Sequence, residues 1–259
     1  MNSTMNRSSI GVLVDRNVEF RRFITEPAKQ TKPITCGPIK QSVEIVGWRF
    51  KQPLSDEHAW LNDEIACLPT IGRLAREGRL SLFTSVELQF EGWTARRSLP
   101  YGNCGDLFEG IDIRKLPDAV TRSYFENTID LNEMLARETL QRFCARLIKF
   151  DVDALRKSPL WERLPVQTQR NLDDLERFRF LCRKVGKKHY CDAFHFWTAE
   201  THGLRYFLTL DKVFLNIAAN QRGFVIATRP VSPSAMLDEL GISTRDPFPA
   251  DLLEFHPAI

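Results

Sequence analysis

The sequence predicts an α/β protein whose central, mainly parallel sheet lies between helices in three layers. Three short apolar runs carry this prediction, at residues 10–14, 80–83 and 204–208. Segments with helical periodicity separate these runs along the chain. Strands that are apolar on both faces are typical of a parallel sheet that helices cover on each side. We therefore expect the three runs to be strands of one buried sheet.

The composition is that of a globular protein with a substantial core. The chain has 259 residues, of which 43% are hydrophobic and 27% are charged. Nothing in it approaches the roughly 18 consecutive apolar residues of a membrane span, and residues 1–9 lack the apolar region of a signal peptide. The six cysteines are dispersed, with no CxxC pair. This pattern favours reduced thiols, and we expect a cytoplasmic protein with no membrane partner.

The N-terminal part begins with the strand at residues 10–14 and turns at Asp15. A short helix is expected to end before Pro27. The stretch 26–47 is rich in Pro, Lys, Gln and Gly, and we predict an irregular conformation with at most a short strand at 43–46.

The next part alternates helix, strand and helix. A helix begins after Ser55, with acidic residues in its first turn, and ends at Gly78. Pro69 interrupts it because proline has no amide hydrogen to donate. The strand at residues 80–83 follows, and another helix runs from there towards Trp93.

The middle of the chain is predicted to be mostly helical and is more basic than the rest. Residues 98–120 contain three glycines and two prolines and are predicted to be a loop. Apolar residues recur at helical intervals over 124–147, and 173–185 also has a helical pattern. The whole chain, residues 1–259, is then one domain, with a core at about 10–95 and 189–230 and a basic helical insertion at about 96–188.

The C-terminal part repeats the α/β pattern. A helix at 192–202 is followed by Gly203, the strand at 204–208 and a helix at 212–219. An apolar run at 224–227 predicts a last strand. The prolines beyond it predict a tail with little regular structure.

Four acidic residues stand where the predicted strands and helices meet. Asp15 ends the first strand, Glu87 begins the helix after the second, Asp192 begins the helix before the third, and Asp211 follows the third. Ligand sites in open parallel sheets lie outside the carboxyl ends of the strands. We therefore expect the four carboxylates to share one cleft.

Each acid also has a purely structural interpretation. Asp192 and Asp211 could cap helices, Asp15 could bond within its turn, and Thr84 with Glu87 matches a capping box. The conjunction of all four favours a site, since clustered carboxylates repel one another unless a cation lies between them. Hard oxygen ligands of this kind suit Mg²⁺ or Mn²⁺.

These residues resemble the PIN domain nucleases. The similarity lies in Val12-Leu-Val-Asp15-Arg-Asn17-Val18, in Thr84-Ser-Val-Glu87-Leu88, and in Asp192-Ala-Phe-His-Phe-Trp-Thr-Ala199 followed by Tyr206-Phe-Leu-Thr209-Leu-Asp211-Lys212. The last block is the most specific, and together the blocks cover about half of the chain.

The resemblance implies a metal-dependent nuclease, most simply an endoribonuclease, with a PIN-like fold. It implies that Asp15, Glu87, Asp192 and Asp211 bind Mg²⁺ or Mn²⁺ and carry the catalysis. It further implies that polar support for a carboxylate or a phosphate comes from Asn17 and Thr209.

The spacing of the acids departs from the family pattern. The stretches on either side of Glu87 are longer than a compact PIN domain needs, and this leaves Glu91 and Asp174 as alternatives to Glu87. His195 lies one helical turn after Asp192. We expect His195 to be structural, because this mechanism requires no histidine.

The predicted partner is RNA, and a basic run in the insertion is the candidate surface for its phosphates. No acid interrupts this run, which consists of Arg177, Arg179, Arg183, Lys184, Lys187 and Lys188. A solvated helix face explains such a run equally well. An antitoxin-like protein partner and a homodimer stay open.

Two other functions are compatible with the same residues. One is a PIN-like module that binds RNA or protein without cleaving. The other is a structure-specific nuclease that acts on DNA, since an acidic metal site serves either nucleic acid.

Overall fold

The computed structural model describes residues 9–37, 39–96, 105–126, 137–219, 228–248 and 256–257. Its strands, in chain order, are β1 Ile10–Val14, β2 Thr25–Cys36, β3 Ile39–Phe50, β4 Leu80–Ser85, β5 Arg114–Leu116, β6 Tyr206–Leu208, β7 Arg229–Val231 and β8 His256–Pro257. Its helices are α1 Arg16–Arg21, α2 Ala59–Ile65, α3 Leu68–Arg76, α4 Val86–Arg96, α5 Arg137–Leu147, α6 Val152–Arg156, α7 Val166–Asp173, α8 Leu175–Val185, α9 Tyr190–Thr201, α10 Lys212–Ala219 and α11 Pro233–Glu239.

Five of these strands form a central sheet in the order β5-β4-β1-β6-β7, and every pair in it is parallel. The predicted α/β class with a central parallel sheet is therefore confirmed. The arrangement of helices on both faces is consistent with a three-layer PIN-like fold. The three predicted apolar runs contribute β1, β4 and β6, which are neighbours in the sheet.

Strand β1 lies in the middle of the sheet and buries both of its faces. Leu13 belongs to one hydrophobic core, whereas Val12 and Val14 belong to the other. Because successive strand residues point to opposite faces, this alternation places a core on each side of the sheet. The continuous apolar run predicted this double burial.

The two cores are covered by different helices. The first core is formed with residues of α4, α5, α7, α8, α9 and α10, and the second with residues of α1, α3 and α11. Phe143, Phe178 and Phe194 pack edge-on or tilted in the first core. The helices of the predicted insertion are thus part of the layer that covers one face of the sheet.

The prediction of an irregular segment at 26–47 is wrong. Strands β2 and β3 form a long antiparallel hairpin, with Gly37 at a positive φ of 61° in the turn. The prolines suggested irregular structure, but Pro27 and Pro33 lie on β2, which is the edge strand of the sheet β2-β3-β8. An edge strand tolerates proline because one side of it forms no ladder hydrogen bonds.

The predicted loop at 98–120 also needs correction. Its residues 105–120 are described, and they include β5, which pairs with β4 in the central sheet. A strand of three residues, two of them exposed and basic, has no apolar pattern that could reveal it. Sheet pairing is therefore what makes this segment a strand.

Two C-terminal predictions have different outcomes. The strand predicted at 224–227 lies outside the described residues, and the strand beside β6 is β7. The tail was expected to lack regular structure, yet it contains α11, in which Pro233 lies in the first turn and Ser232 is the N-cap. Proline suits this position because the first amides of a helix have no intrahelical partner.

The remaining helices follow the predictions with shifted ends. Pro69 lies in the first turn of α3 rather than interrupting one continuous helix, and α10 has the predicted bounds. The helix predicted at 124–147 is seen as α5 in the described part, preceded by a 3₁₀ turn at Arg122–Tyr124. Cys67, Cys144, Cys182 and Cys191 are buried free thiols. In the described ranges no helix is long and apolar enough to cross a membrane.

Candidate metal centre

Asp15 begins the site at the carboxyl end of β1. Its amide donates to the carbonyl of Leu208 at the end of β6, over 2.9 Å. Its Oδ1 accepts from the Arg16 amide over 2.7 Å and so caps α1. Capping thus uses one carboxylate oxygen of Asp15, and the other oxygen faces the end of β6.

Thr209 connects Asp15 to the end of β6. Its Oγ1 donates to Oδ2 of Asp15 over 2.6 Å and accepts from Nδ2 of Asn17 over 3.1 Å and from the Asp211 amide over 3.0 Å. Oδ1 of Asn17 accepts in turn from the Leu210 amide over 2.9 Å. The two residues predicted as polar support therefore lie in one network that holds the strand ends together.

Asp192 and Asp211 converge with His189, a residue that the sequence did not single out. Nδ1 of His189 lies 2.9 Å from Oδ2 of Asp192 and 3.7 Å from Oδ2 of Asp211. One ligand atom from each of the three residues lies within 4.8 Å of the others. Their side chains are 12%, 13% and 28% exposed, in the order His189, Asp192, Asp211. The cluster is therefore accessible to a small ion and sheltered from bulk water.

Helix ends explain how these three side chains meet. Helix α9 begins at Tyr190, so Asp192 lies in its first turn rather than at its start, and His189 occupies the N-cap. Residues three apart share a helix face. Asp211 caps α10 through Oδ1, which accepts from the Phe214 amide over 2.9 Å, and its Oδ2 faces His189. The i, i+3 spacing of His189 and Asp192 at a helix start was the sequence signal for this pair.

Asp15 is not one of the three clustered residues, but it responds electrostatically to Asp192. Burial, together with the negative charges of Asp192 and Glu91, raises the pKa of Asp15 to about 7, against the lowering effects of Thr209 and His195. Asp15 and Asp192 are therefore close enough to repel each other. A divalent cation between the carboxylates would relieve this repulsion.

Glu91 and His195 form a buried pair beside Asp15. Nε2 of His195 lies 3.3 Å from Oε1 of Glu91, and Nη1 of Arg16 lies 3.6 Å from its Oε2. Burial by itself lowers the pKa of His195, but the hydrogen bond and charge of Glu91 and the charge of Asp15 outweigh it and raise this pKa to about 9. His195 is therefore an internal cation that balances part of the acidic charge.

The structure does not bring Glu87 to the cluster. Its carboxylate accepts from Nε and Nη2 of Arg122 over 3.0 and 3.1 Å, and both side chains are buried. This ion pair is neither the expected metal ligation nor the capping box. Glu91, one turn further along α4, is the acid of that helix that lies near Asp15.

Asp174, the other alternative, lies far from the cluster. It is exposed at the junction of α7 and α8, and its charge acts on Glu200. Glu200 stands eight residues after Asp192 on α9, which corresponds to about 12 Å along a helix axis. Asp174 is therefore not a member of the site.

The basic run divides into structural and exposed residues. Arg177 forms a two-pronged ion pair with Glu200, and Arg179 donates to the carbonyls of Ile148 and Phe150. These two guanidinium groups join helices, so their expected role in holding RNA is not supported by their contacts. The exposed members of the run are Arg183, Lys184, Lys187 and Lys188.

Lys187 and Lys188 occupy the 3₁₀ turn that ends at His189. Two exposed cations thus directly precede a member of the acidic cluster. This position would offset the repulsion between the cluster and a polyanion.

The chemistry of the cluster suits a divalent cation. His189 offers one imidazole nitrogen, Asp192 and Asp211 offer one carboxylate oxygen each, and ionised Asp15 would add negative charge that couples to Asp192. Nitrogen and oxygen ligands in this combination bind several divalent ions, so the donor set by itself does not select one.

In comparisons with protein-family models, with characterised proteins and with solved structures, no match to this chain was found.

Proposed function

We propose that this protein is a divalent-cation-dependent nuclease that hydrolyses phosphodiester bonds in RNA. The observation that supports the proposal most directly is the meeting of His189, Asp192 and Asp211, with Asp15 electrostatically coupled to Asp192. This meeting occurs at the carboxyl ends of neighbouring parallel strands, where open α/β sheets bind their ligands.

The proposed cation is Mg²⁺ or Mn²⁺. Carboxylate oxygens suit both ions, and the imidazole of His189 favours Mn²⁺ because Mg²⁺ prefers an all-oxygen environment. Held by these residues, a divalent cation would supply positive charge for the phosphodiester and a source of acidified water.

The protein residues hold the site and manage its charge. Asp192, Asp211 and His189 are the proposed ligands. Asp15 adds negative charge that couples to Asp192, and Thr209 holds its carboxylate through a 2.6 Å hydrogen bond. The positive charge of His195, which pairs with Glu91, offsets part of the negative charge of the buried acids.

Lys187 and Lys188 are the proposed contacts for the phosphates that flank the scissile bond. They are exposed and precede His189 directly, so a strand that reached the cluster would pass them. Positively charged side chains next to an acidic site raise the local concentration of a polyanion and position the nucleic-acid backbone.

A cleavage assay tests the proposal. Purified protein should cleave single-stranded RNA in Mn²⁺ or Mg²⁺, and EDTA should abolish the cleavage. Asp192→Asn and Asp211→Asn should reduce the rate by at least about a hundredfold, which corresponds to a loss of roughly 3 kcal/mol of transition-state stabilisation.

Asp153→Asn is the matched control, because Asp153 is an exposed acid of α6. It should cleave at the rate of the wild type. Binding of RNA without cleavage in either cation would identify a non-catalytic module instead. Cleavage of DNA but not RNA would contradict the proposed substrate and leave the metal chemistry in place.

A further inference from the structure

A separate cavity of about 360 Å³ lies at the base of the β2–β3 hairpin, where the hairpin approaches α2. Its walls are mainly apolar and include Phe23, Ile24, Phe50, Ile65 and Phe248. Its volume falls in the range of cavities that bind small organic molecules. The cavity therefore has the size and lining of a ligand site.

Two cations also line this cavity, Arg21 and Lys51. In the part of the chain that the structure describes, neither is ion-paired with a carboxylate. The Lys51 ammonium donates to the carbonyl of Phe23 over 2.6 Å, and it lies 4.8 Å from the ring centroid of Phe20. These contacts fix the position of the ammonium, and Glu26, the acid whose charge acts on it, is itself ion-paired with Arg49.

The two charges disfavour each other in this environment. Burial lowers the pKa of Arg21, and burial together with the charge of Arg21 lowers the pKa of Lys51. Partly buried cations of like sign next to apolar walls are stabilised by a shared anion. Two neutral polar side chains, Gln52 and Asn62, also line the cavity. The side chain of Asn62 already bonds the amide and the carbonyl of Leu54.

We propose that this cavity binds a small organic anion with an apolar body and a carboxylate at one end. The apolar part lies against the phenylalanine and isoleucine side chains, and the carboxylate accepts hydrogen bonds from Arg21 and Lys51. The guanidinium group of arginine matches the two oxygens of a carboxylate. A nucleic-acid backbone fits less well, because its hydrated phosphates make no favourable contact with apolar walls.

The cavity is distinct from the candidate metal centre. Arg21 is the last residue of α1, whereas Asp15 caps the other end of this helix. Six helical residues separate the two features by about 9 Å. Binding in the cavity can therefore be measured with EDTA present, independently of any nuclease activity.

Titration calorimetry with decanoate as the probe tests the proposal, with decanol as its uncharged counterpart. The full-length protein should bind one decanoate saturably and should bind decanol more weakly. Arg21→Met and Lys51→Met keep most of the apolar stem and remove the charge. Each should weaken decanoate binding about tenfold, the effect expected for losing a hydrogen bond to a charged group.

Lys29→Met is the matched control, because Lys29 lies on the same hairpin but pairs with Glu44 outside the cavity. It should bind decanoate like the wild type. Ile65→Trp should fill the cavity and abolish binding of both probes. Should this variant fail to fold, the charge variants decide the matter. Equal binding of decanoate and decanol, unchanged affinity in both charge variants, or no saturable binding would each overturn the proposal.

Discussion

The Oγ1 of Thr209 donates a hydrogen bond of 2.6 Å to Oδ2 of Asp15, and both side chains are buried. The same oxygen accepts from Asn17 and from the Asp211 amide. One hydroxyl group thus ties the end of β1 to the end of β6. It also sets the distance between Asp15 and the loop that carries Asp211.

Thr209→Val should therefore disturb both stability and the site. The substitution keeps the shape but removes the donor to Asp15 and the acceptor for two N–H groups. We expect a loss of about 1–3 kcal/mol in the free energy of unfolding, measured by urea denaturation. Thr209→Ser retains the hydroxyl and should stay closer to the wild type. Equal stability of the valine variant and the wild type would contradict this role.

Cation binding should strengthen as the pH rises towards about 7. The pKa of Asp15 is raised to about 7, mainly by burial and then by the charge of Asp192. Below this pH Asp15 holds a proton. Its negative charge is then absent, and the cation binds less tightly to the cluster. Above it the affinity should level off. Calorimetric titration with Mn²⁺ measures the effect.

Two variants examine the cause of this pH dependence. In Asp15→Asn, the change in Mn²⁺ affinity around pH 7 should disappear. In Asp192→Asn, one repelling charge is lost, and the pKa of Asp15 in the metal-free protein should fall. Carboxyl NMR shifts report this pKa directly. A pKa that does not change in Asp192→Asn would show that the two acids are not coupled.

Stability should fall between about pH 7 and 8.5 because of His195. Its pKa rises from 6.5 to about 9 on folding, chiefly because Glu91 outweighs the effect of burial. Between these values the folded protein binds more protons than the unfolded chain, so the free energy of unfolding decreases as pH rises. The slope from one such group is at most about 1.4 kcal/mol per pH unit.

Asp15 and Glu87 contribute in the same direction at lower pH, since the folded pKa of each is about 7, so the interval above about pH 8 isolates His195. His195→Gln should flatten the stability profile there. Urea denaturation at several pH values checks this. An equally steep profile in the variant would assign the effect to another group.

Glu87→Gln should destabilise the protein by about 3–5 kcal/mol, because it removes the hydrogen-bonded counter-charge of the buried Arg122 guanidinium, for which Glu126 at 4.0 Å is a weaker partner. The double variant Glu87→Met/Arg122→Met should recover much of this loss, since it removes both charges. Glu162→Gln, at an exposed acid, should have little effect. If Glu87→Gln kept almost all of its stability but no longer bound Mn²⁺, Glu87 would be a metal ligand after all.

Lys187→Ala and Lys188→Ala should weaken RNA binding with little dependence on sequence. Each phosphate contact that is lost should also reduce the slope of log affinity against log salt by about 0.7 for a single strand. Lys157→Ala, at an exposed lysine after α6, is the control. Arg177→Ala should instead lower stability, because Arg177 holds Glu200. Filter binding and thermal denaturation separate the two effects.

The central sheet and much of the site could be predicted from the sequence. Apolar runs identify β1, β4 and β6, because a short segment that is apolar throughout is typical of a strand buried on both faces. Once these strands are parallel neighbours, the residues after their carboxyl ends must lie at one edge. The placement of Asp15, Asn17 and Thr209 together at this edge follows from that rule.

The choice between Glu87 and Glu91 was made only by the tertiary structure. The two acids lie one turn apart on α4, and local sequence cannot tell which of them faces Asp15. The decisive partners, Arg122 for Glu87 and His195 for Glu91, are far away in sequence. Burial forces each carboxylate to take a partner, and packing decides which one is within reach.

The same reason accounts for the other differences. The prolines of β2 suggest irregular structure in the sequence, but β2 is an edge strand of its sheet, where proline is tolerated. The sequence suggests Arg177 as a phosphate ligand, whereas in the structure it forms an ion pair with Glu200. His189 becomes a candidate ligand only because Asp211, which follows β6, lies beside it in the structure. By itself the sequence determined which segments are buried and where their ends meet. Tertiary structure decided which charged groups face each other, because those pairings depend on distances between segments that no local pattern contains.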